Sequence, residues 1–344
     1  MIRLFAPLLA FSLVASEEPT LIADGSSPQI AVDTRGTIRM VFGRRDSIFV
    51  VTSIDNARTF GGPTLVAVVP NMHLGNTRGP TIASSASRSA VMAVDNKGTI
   101  SIFELDHRAN RWSRRPGPLN SVEGSAPEGL GTIAADDADN FFATWLDLRE
   151  GKQNQIYFAK LGKIEAKTVD RRIYASPAGH VCECCRPTVA VSDRHVGVMF
   201  RNWLDGARDL YVVRSTDGGA TFSEATKLGQ GTWKLDACPM DGGDLTLGAT
   251  GELVSAWRRE LDIFVARPGQ TEYRVAGGRS PMLATNGKST TVVWQDGRDI
   301  KMRTLDSEEV TVVGQGRLPQ VAILRDGKTL VAWEAGGKVV FRRL

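Results

Sequence analysis

The sequence predicts an all-β chain folded as a ring of seven four-stranded sheets, a seven-bladed β-propeller, and three observations carry that prediction. A unit of short apolar strands recurs at spacings of 38 to 56 residues. Gly and Asp punctuate the chain throughout, with almost no helical periodicity between them. The last unit stops one strand short, while a strand without a partner stands near the opposite end of the chain. A six-bladed ring is the alternative.

Taken in order, the chain opens with Met1-Ile-Arg3, an apolar run over 4–15, and small residues to Ser16 before Glu17. Residues 1–16 read as a signal peptide, too short to anchor in a bilayer, so 17–344 is expected as a single periplasmic or secreted domain. No later run is apolar for long enough to suggest a membrane span. The net charge of +4 comes from scattered Lys and Arg, which argues against a nucleic-acid partner.

The first unit runs Pro28-Gln-Ile-Ala-Val, a turn at Asp33-Thr-Arg-Gly36, a strand over 37–42 and another from Asp46. Later units begin at Pro80, Gly131, Pro187, Pro239, Pro281 and Pro319. A blade buries its faces only against its neighbours, so the array must close. The last unit has strands at 320–324, 330–333 and 338–342, and 20–23 is expected to complete it as the outer edge. Both ends of the chain would then fasten one blade and leave no free sheet edge at the seam. Trp145, Trp203 and Trp294 stand at the ends of second strands and read as wedges between blades.

Ser215-Thr-Asp217-Gly-Gly219-Ala-Thr-Phe222 resembles the Asp-box of the sialidase-like (BNR) propellers, and Ser53-Ile-Asp55-Asn-Ala-Arg-Thr-Phe60 is similar to a degraded copy. The resemblance implies a structural turn between third and fourth strands, with the aromatic packed inward, and carries no catalytic implication of its own. It also implies that ligands bind on the opposite face, which receives the links into each blade and the loops between second and third strands.

On that face the sequence concentrates its sulfur. Gly179-His180-Val181-Cys182-Glu183-Cys184-Cys185-Arg186-Pro187 leads into the fourth unit, and Asp236-Ala237-Cys238-Pro239-Met240 into the fifth. Adjacent blades should bring the two together. In an extended segment His180, Cys182 and Cys184 share a side, and a bend would recruit Cys185. Three readings follow. An exported protein favours disulfides, although vicinal Cys184-Cys185 and Cys182-to-Cys184 bridges are strained. Sulfur-rich donors select a soft metal, copper ahead of zinc because the spacing is compressed, with Cys182, Cys184, Cys185, Cys238 and His180 as ligands and Met240 as a possible thioether. A reactive thiol beside Arg186 and His180 is the third.

Arg78, Arg186, Arg279 and Arg317 recur at blade starts and would ring the channel mouth, where they could hold an anionic small molecule or glycan or simply pair with neighbouring loop aspartates such as Asp236, Asp241 or Asp296. Arg317-Leu-Pro319 resembles the carboxylate-holding element of sialidases. A glycoside hydrolase would draw on Arg78, Arg279 and Arg317 with Asp147, Asp205 and Asp296. The tyrosine nucleophile of that family has no obvious counterpart, since Tyr157 and Tyr211 fall in third strands and Tyr174 and Tyr273 in outer segments.

Overall fold

The structure is a computed structural model that describes residues 18–151, 153–164, 168–267 and 270–344; the expected signal peptide lies outside the described residues. All described regular elements are strands, in seven four-stranded antiparallel sheets. No helix among the described residues is long and apolar enough to cross a membrane.

The innermost strands are Ser26–Val32, Thr81–Ser84, Gly131–Ala135, Thr188–Ser192, Asp244–Leu247, Arg279–Thr285 and Arg317–Ile323. Each touches the innermost strand of the next blade, and the seventh returns to the first, so the ring is closed. The seam is built as the sequence predicts. Thr20–Asp24 pairs antiparallel with Lys338–Arg343, Thr20 opposite Phe341 and Asp24 opposite Lys338, through one irregularity between Leu21 and Ala23.

Second strands explain why the repeat is so apolar. Phe141–Asp147 is buried along its whole length, and Ile38–Arg44 along all but its last residue, because both faces of a blade are covered by neighbours. The interior is therefore a series of layers between blades. One layer joins Phe142, Ile156 and Phe158 of blade three to Val196, Val198 and Phe200 of blade four. Trp145, Trp294 and Trp333 are wholly buried. Trp203 departs from the expectation of a wedge. It is half-buried, its ring tilted 33° to that of His180 with centroids 4.6 Å apart at the blade-four loops.

Both turns that resemble the Asp-box lie between third and fourth strands, and their bonding is the same. Asp217 accepts from the Thr221 N–H (2.9 Å) and hydroxyl (2.6 Å), while the Ser215 hydroxyl accepts from the Gly219 N–H (2.9 Å). In the degraded copy Asp55 accepts from the Thr59 N–H (3.0 Å) and hydroxyl (2.6 Å), and Ser53 from the Ala57 N–H (3.0 Å). These bonds hold both carboxyls below the usual range. Phe222 meets Phe158, and Phe60 meets Phe341, each edge-on at 5.0 Å on the third strand of the preceding blade. The turn is thus a clamp between blades. A Cβ at Gly219 would come within 2.8 Å of Phe158, whereas the first copy places Ala57 at the equivalent left-handed position.

One strand boundary differs from the sequence reading. The innermost strand of blade five starts at Asp244 and not at Pro239. Met240 (φ 54°) and Gly243 (φ 71°) take left-handed backbone that breaks an extended run. Gly242 passes so close to the Arg186 carbonyl that a Cβ there would lie 2.1 Å from its oxygen. The segment around Cys238 is therefore a loop leaning on the Cys-rich loop of blade four.

Candidate metal centre

The Cys-rich loop links the outer strand of blade three, Asp170–Tyr174, to the innermost strand of blade four. Its backbone is pinned at three points. The Gly179 N–H donates to Ser176 O (2.9 Å), Val181 to Asn154 O (3.0 Å) and Cys182 to Arg201 O (3.0 Å). The chain then turns at Glu183-Cys184, which supplies the bend needed to bring Cys185 back beside Cys182.

The result is a compact sulfur trio. Cys182 Sγ lies 3.7 Å from Cys184 Sγ and 3.6 Å from Cys185 Sγ, and all three sulfurs fall within 4.8 Å of one another. Their residues are 1%, 5% and 1% exposed, so water does not compete for them. Met240 packs against the trio from the blade-five loop. The Arg208 guanidinium donates to Cys182 Sγ (Nη1, 3.0 Å) and to Leu235 O (Nε, 3.0 Å), joining the two loops.

The trio divides its charge unequally. Hydrogen bonds with Cys184 and Cys185 hold the Cys182 thiol far below its usual range against the effect of burial, helped by the charges of Arg201 and Arg208. Those same contacts and burial push Cys184 up, and burial first of all pushes Cys185 up to about 12. Of the three sulfurs, Cys182 is the one whose surroundings favour the thiolate.

The donor set fits a soft ion. Metal–sulfur bonds of ~2.3 Å give sulfur separations of about 3.8 Å at tetrahedral and about 4.0 Å at trigonal angles, close to those of the trio. The remaining neighbour, Met240, offers a thioether, which suits Cu(I) better than Zn(II). Cys238 and His180 stand outside the group of sulfurs within 4.8 Å. Cys238 is exposed, and all four cysteines are unbridged. The His180 Nδ1 sits 3.0 Å from Val181 O and 3.4 Å from Glu183, with its ring on Trp203.

The arginines do converge on the channel mouth. Ser27, Pro28, Arg78, Arg186, Met282 and Pro319 line a throat with room of about 30 Å³, the space of roughly one or two waters. Beside it lies a wider cleft of about 240 Å³ lined by Asn76, Thr77, Met240, Arg279, Gln295 and Arg317. Carboxylates occupy two of the arginines, although they are glutamates and not the loop aspartates: Arg78 pairs with Glu128 (3.2 Å) and Arg317 with Glu334 (2.6 Å). Arg186 is buried among the charges of Asp244 and Asp241.

The carboxylate candidates differ in their surroundings. Asp147 is buried and saturated by Ser125 (2.7 Å), Trp145 Nε1 (2.8 Å) and Arg149 (2.6 Å). Asp205 is exposed on a left-handed turn, and Asp296 pairs with Lys301 (2.7 Å). Tyr157 and Tyr211 lie in third strands and Tyr174 and Tyr273 in outer ones, as read from the sequence.

Asp244 at the start of blade five gives a pH signature. Burial pushes its carboxyl up to about 6, opposed by the Leu283 N–H (2.8 Å) and Arg186. An unfolded Asp titrates near ~3.9, so between about pH 4 and 6 the folded chain binds the extra proton, and this group's contribution to stability falls as pH rises. The urea stability of Asp244→Asn relative to the native chain should therefore improve by about 1–3 kcal/mol from pH 4 to pH 7. Parallel pH curves would show that Asp244 ionises normally.

No protein-family model and no curated protein matches the chain. Solved structures share its architecture. A catalytically inactive variant of virginiamycin B lyase from Staphylococcus aureus, with quinupristin, superposes with TM-score 0.58 at 14% identity, over 95% of this chain and 98% of that one. A polysaccharide lyase, an ulvan lyase bound to its sugar ligand, gives 0.58 at 10% identity, over 94% and 95%. SapL1 lectin with α-methyl fucoside gives 0.54 at 11%, over 85% and 97%. At such identities the likeness establishes the propeller fold and nothing about the site.

Proposed function

We propose that this chain is an exported β-propeller that binds a soft metal ion, copper(I) ahead of zinc, for metal handling or redox chemistry. The observation that carries the reading is the buried trio of Cys182, Cys184 and Cys185, three sulfurs already spaced for a common ion. Copper would be held by the three sulfurs, with Met240 beside them. Arg201 and Arg208 would offset the negative charge of a trithiolate site. Bound copper would supply either a transferable cargo or a one-electron centre. The cleft at Arg279 and Arg317 would admit an anionic small molecule or glycan from the channel mouth.

The test is a titration of the reduced, metal-free protein with Cu(I) under anaerobic conditions, followed by elemental analysis after gel filtration. A single copper per chain, held against a chelating competitor and preferred over zinc, is expected. A protein that retains no metal, with its thiols recovered as disulfides, would leave a stapled scaffold instead. The glycoside-hydrolase alternative predicts cleavage of a sialoside that is lost in Arg317→Ala and indifferent to the cysteines.

A further inference from the structure

The trio has no exposed sulfur of its own, yet copper(I) is transferred between thiolates by associative exchange. An incoming ligand must touch the ion while the donor still holds it. Sulfurs in residues 1–5% exposed cannot meet a bulky donor in that way. Cys238 can, because it is exposed and unbridged.

Its loop is tethered to the trio. Arg208 donates both to Cys182 Sγ and to Leu235 O, and Arg201 Nη2 donates to Asp241 O (2.9 Å), so the segment carrying Cys238 is fixed on either side. Met240 lies against the trio, and two residues of chain span at most ~7 Å. An exposed thiol thus stands two residues along the chain from the methionine that packs against the buried sulfur cluster.

We infer that Cys238 is the docking thiol through which copper(I) passes from a thiolate donor to the buried trio, a step that rests on the metal reading above. In the first exchange a Cys238 sulfur–copper bond forms, a donor thiolate leaves, and the proton of Cys238 goes to that departing thiolate. Copper then moves to the trio, whose thiols give up their protons to the released Cys238 sulfur and to the second departing donor thiolate, and the metal stays Cu(I) throughout. Met240 stands along this path as a neutral stepping ligand.

A docking thiol absent from the final coordination changes loading and release by the same factor, so it alters rate without altering affinity. The experiment is stopped-flow transfer from Cu(I)–glutathione to the full-length mature chain, compared with Cys238→Ser, together with equilibrium competition for both. Cys238→Ser should load about tenfold or more slowly, with an affinity within about twofold of the native chain. Native loading rate in the variant would overturn the inference while leaving the metal site intact. An affinity loss would overturn it too, by making Cys238 a resident ligand. A native chain that takes no copper would remove both readings together.

Discussion

Cys182→Ser should reduce copper(I) affinity by about 10²–10³-fold, while His180→Ala should stay within about threefold of the native chain. The magnitude follows from dividing the ~10–16 kcal/mol that a four-ligand thiolate or imidazole site contributes among its ligands. Each is worth about 2.5–4 kcal/mol, and ~1.4 kcal/mol is tenfold. Cys182 is the sensitive position because both other sulfurs lie within 3.7 Å of it and because the Arg208 guanidinium is aimed at it. A serine there presents a weak hard donor in place of the sulfur that ionises first. His180 has other partners in Val181 O and Trp203, so its loss should disturb only the outer wall of the loop. Competition with a chromogenic Cu(I) chelator measures both. Equal losses in the two variants, or none in Cys182→Ser, would place the metal elsewhere.

The ring was legible because its cause is local. Each unit carries its own turns, its apolar second strand and its place in the period, and 20–23 could be assigned to the last blade by counting strands. The Asp-box turn was legible for the same reason, since Asp217 and Thr221 bond within five residues of each other. The start of blade five was not, because Pro239 looks like the proline that opens other units, and what moves the strand to Asp244 is the approach of Gly242 to Arg186 in another blade. Trp203 likewise shares its sequence context with Trp145, yet ends in the loops beside His180. The sulfur trio needed a turn at Glu183-Cys184 whose geometry residue spacing does not encode. Arg201 and Arg208 escaped notice altogether. The signal available for Arg208 was its place between second and third strands of blade four, a loop that topology sends to the same face as the cysteines.

Arg201→Ala should cost about 3–6 kcal/mol, a large share of the ~5–15 kcal/mol by which a folded domain is ordinarily stable. The residue is 1% exposed, and its guanidinium is spent on three backbone carbonyls of separate segments. It donates to Asp241 O (Nε 3.2 Å, Nη2 2.9 Å), to Arg258 O (Nη2, 3.0 Å) and to Arg208 O (Nη1, 2.5 Å), with Trp233 beneath it at 5.3 Å. Alanine strands all three acceptors in a buried or part-buried setting, each worth about 1–3 kcal/mol, and leaves a void that the blades are too closely packed to fill. The loops freed are those that carry Arg208 and Met240, so the same change should loosen the metal site from behind while every sulfur remains. Should the alanine variant not fold, Arg201→Lys keeps the charge but cannot fork across three carbonyls, and about half the loss is expected. Urea unfolding followed by tryptophan fluorescence, with and without copper, reads both quantities. A loss below about 1 kcal/mol in Arg201→Ala would mean that water takes over the three carbonyls and that the loops stand without their common donor.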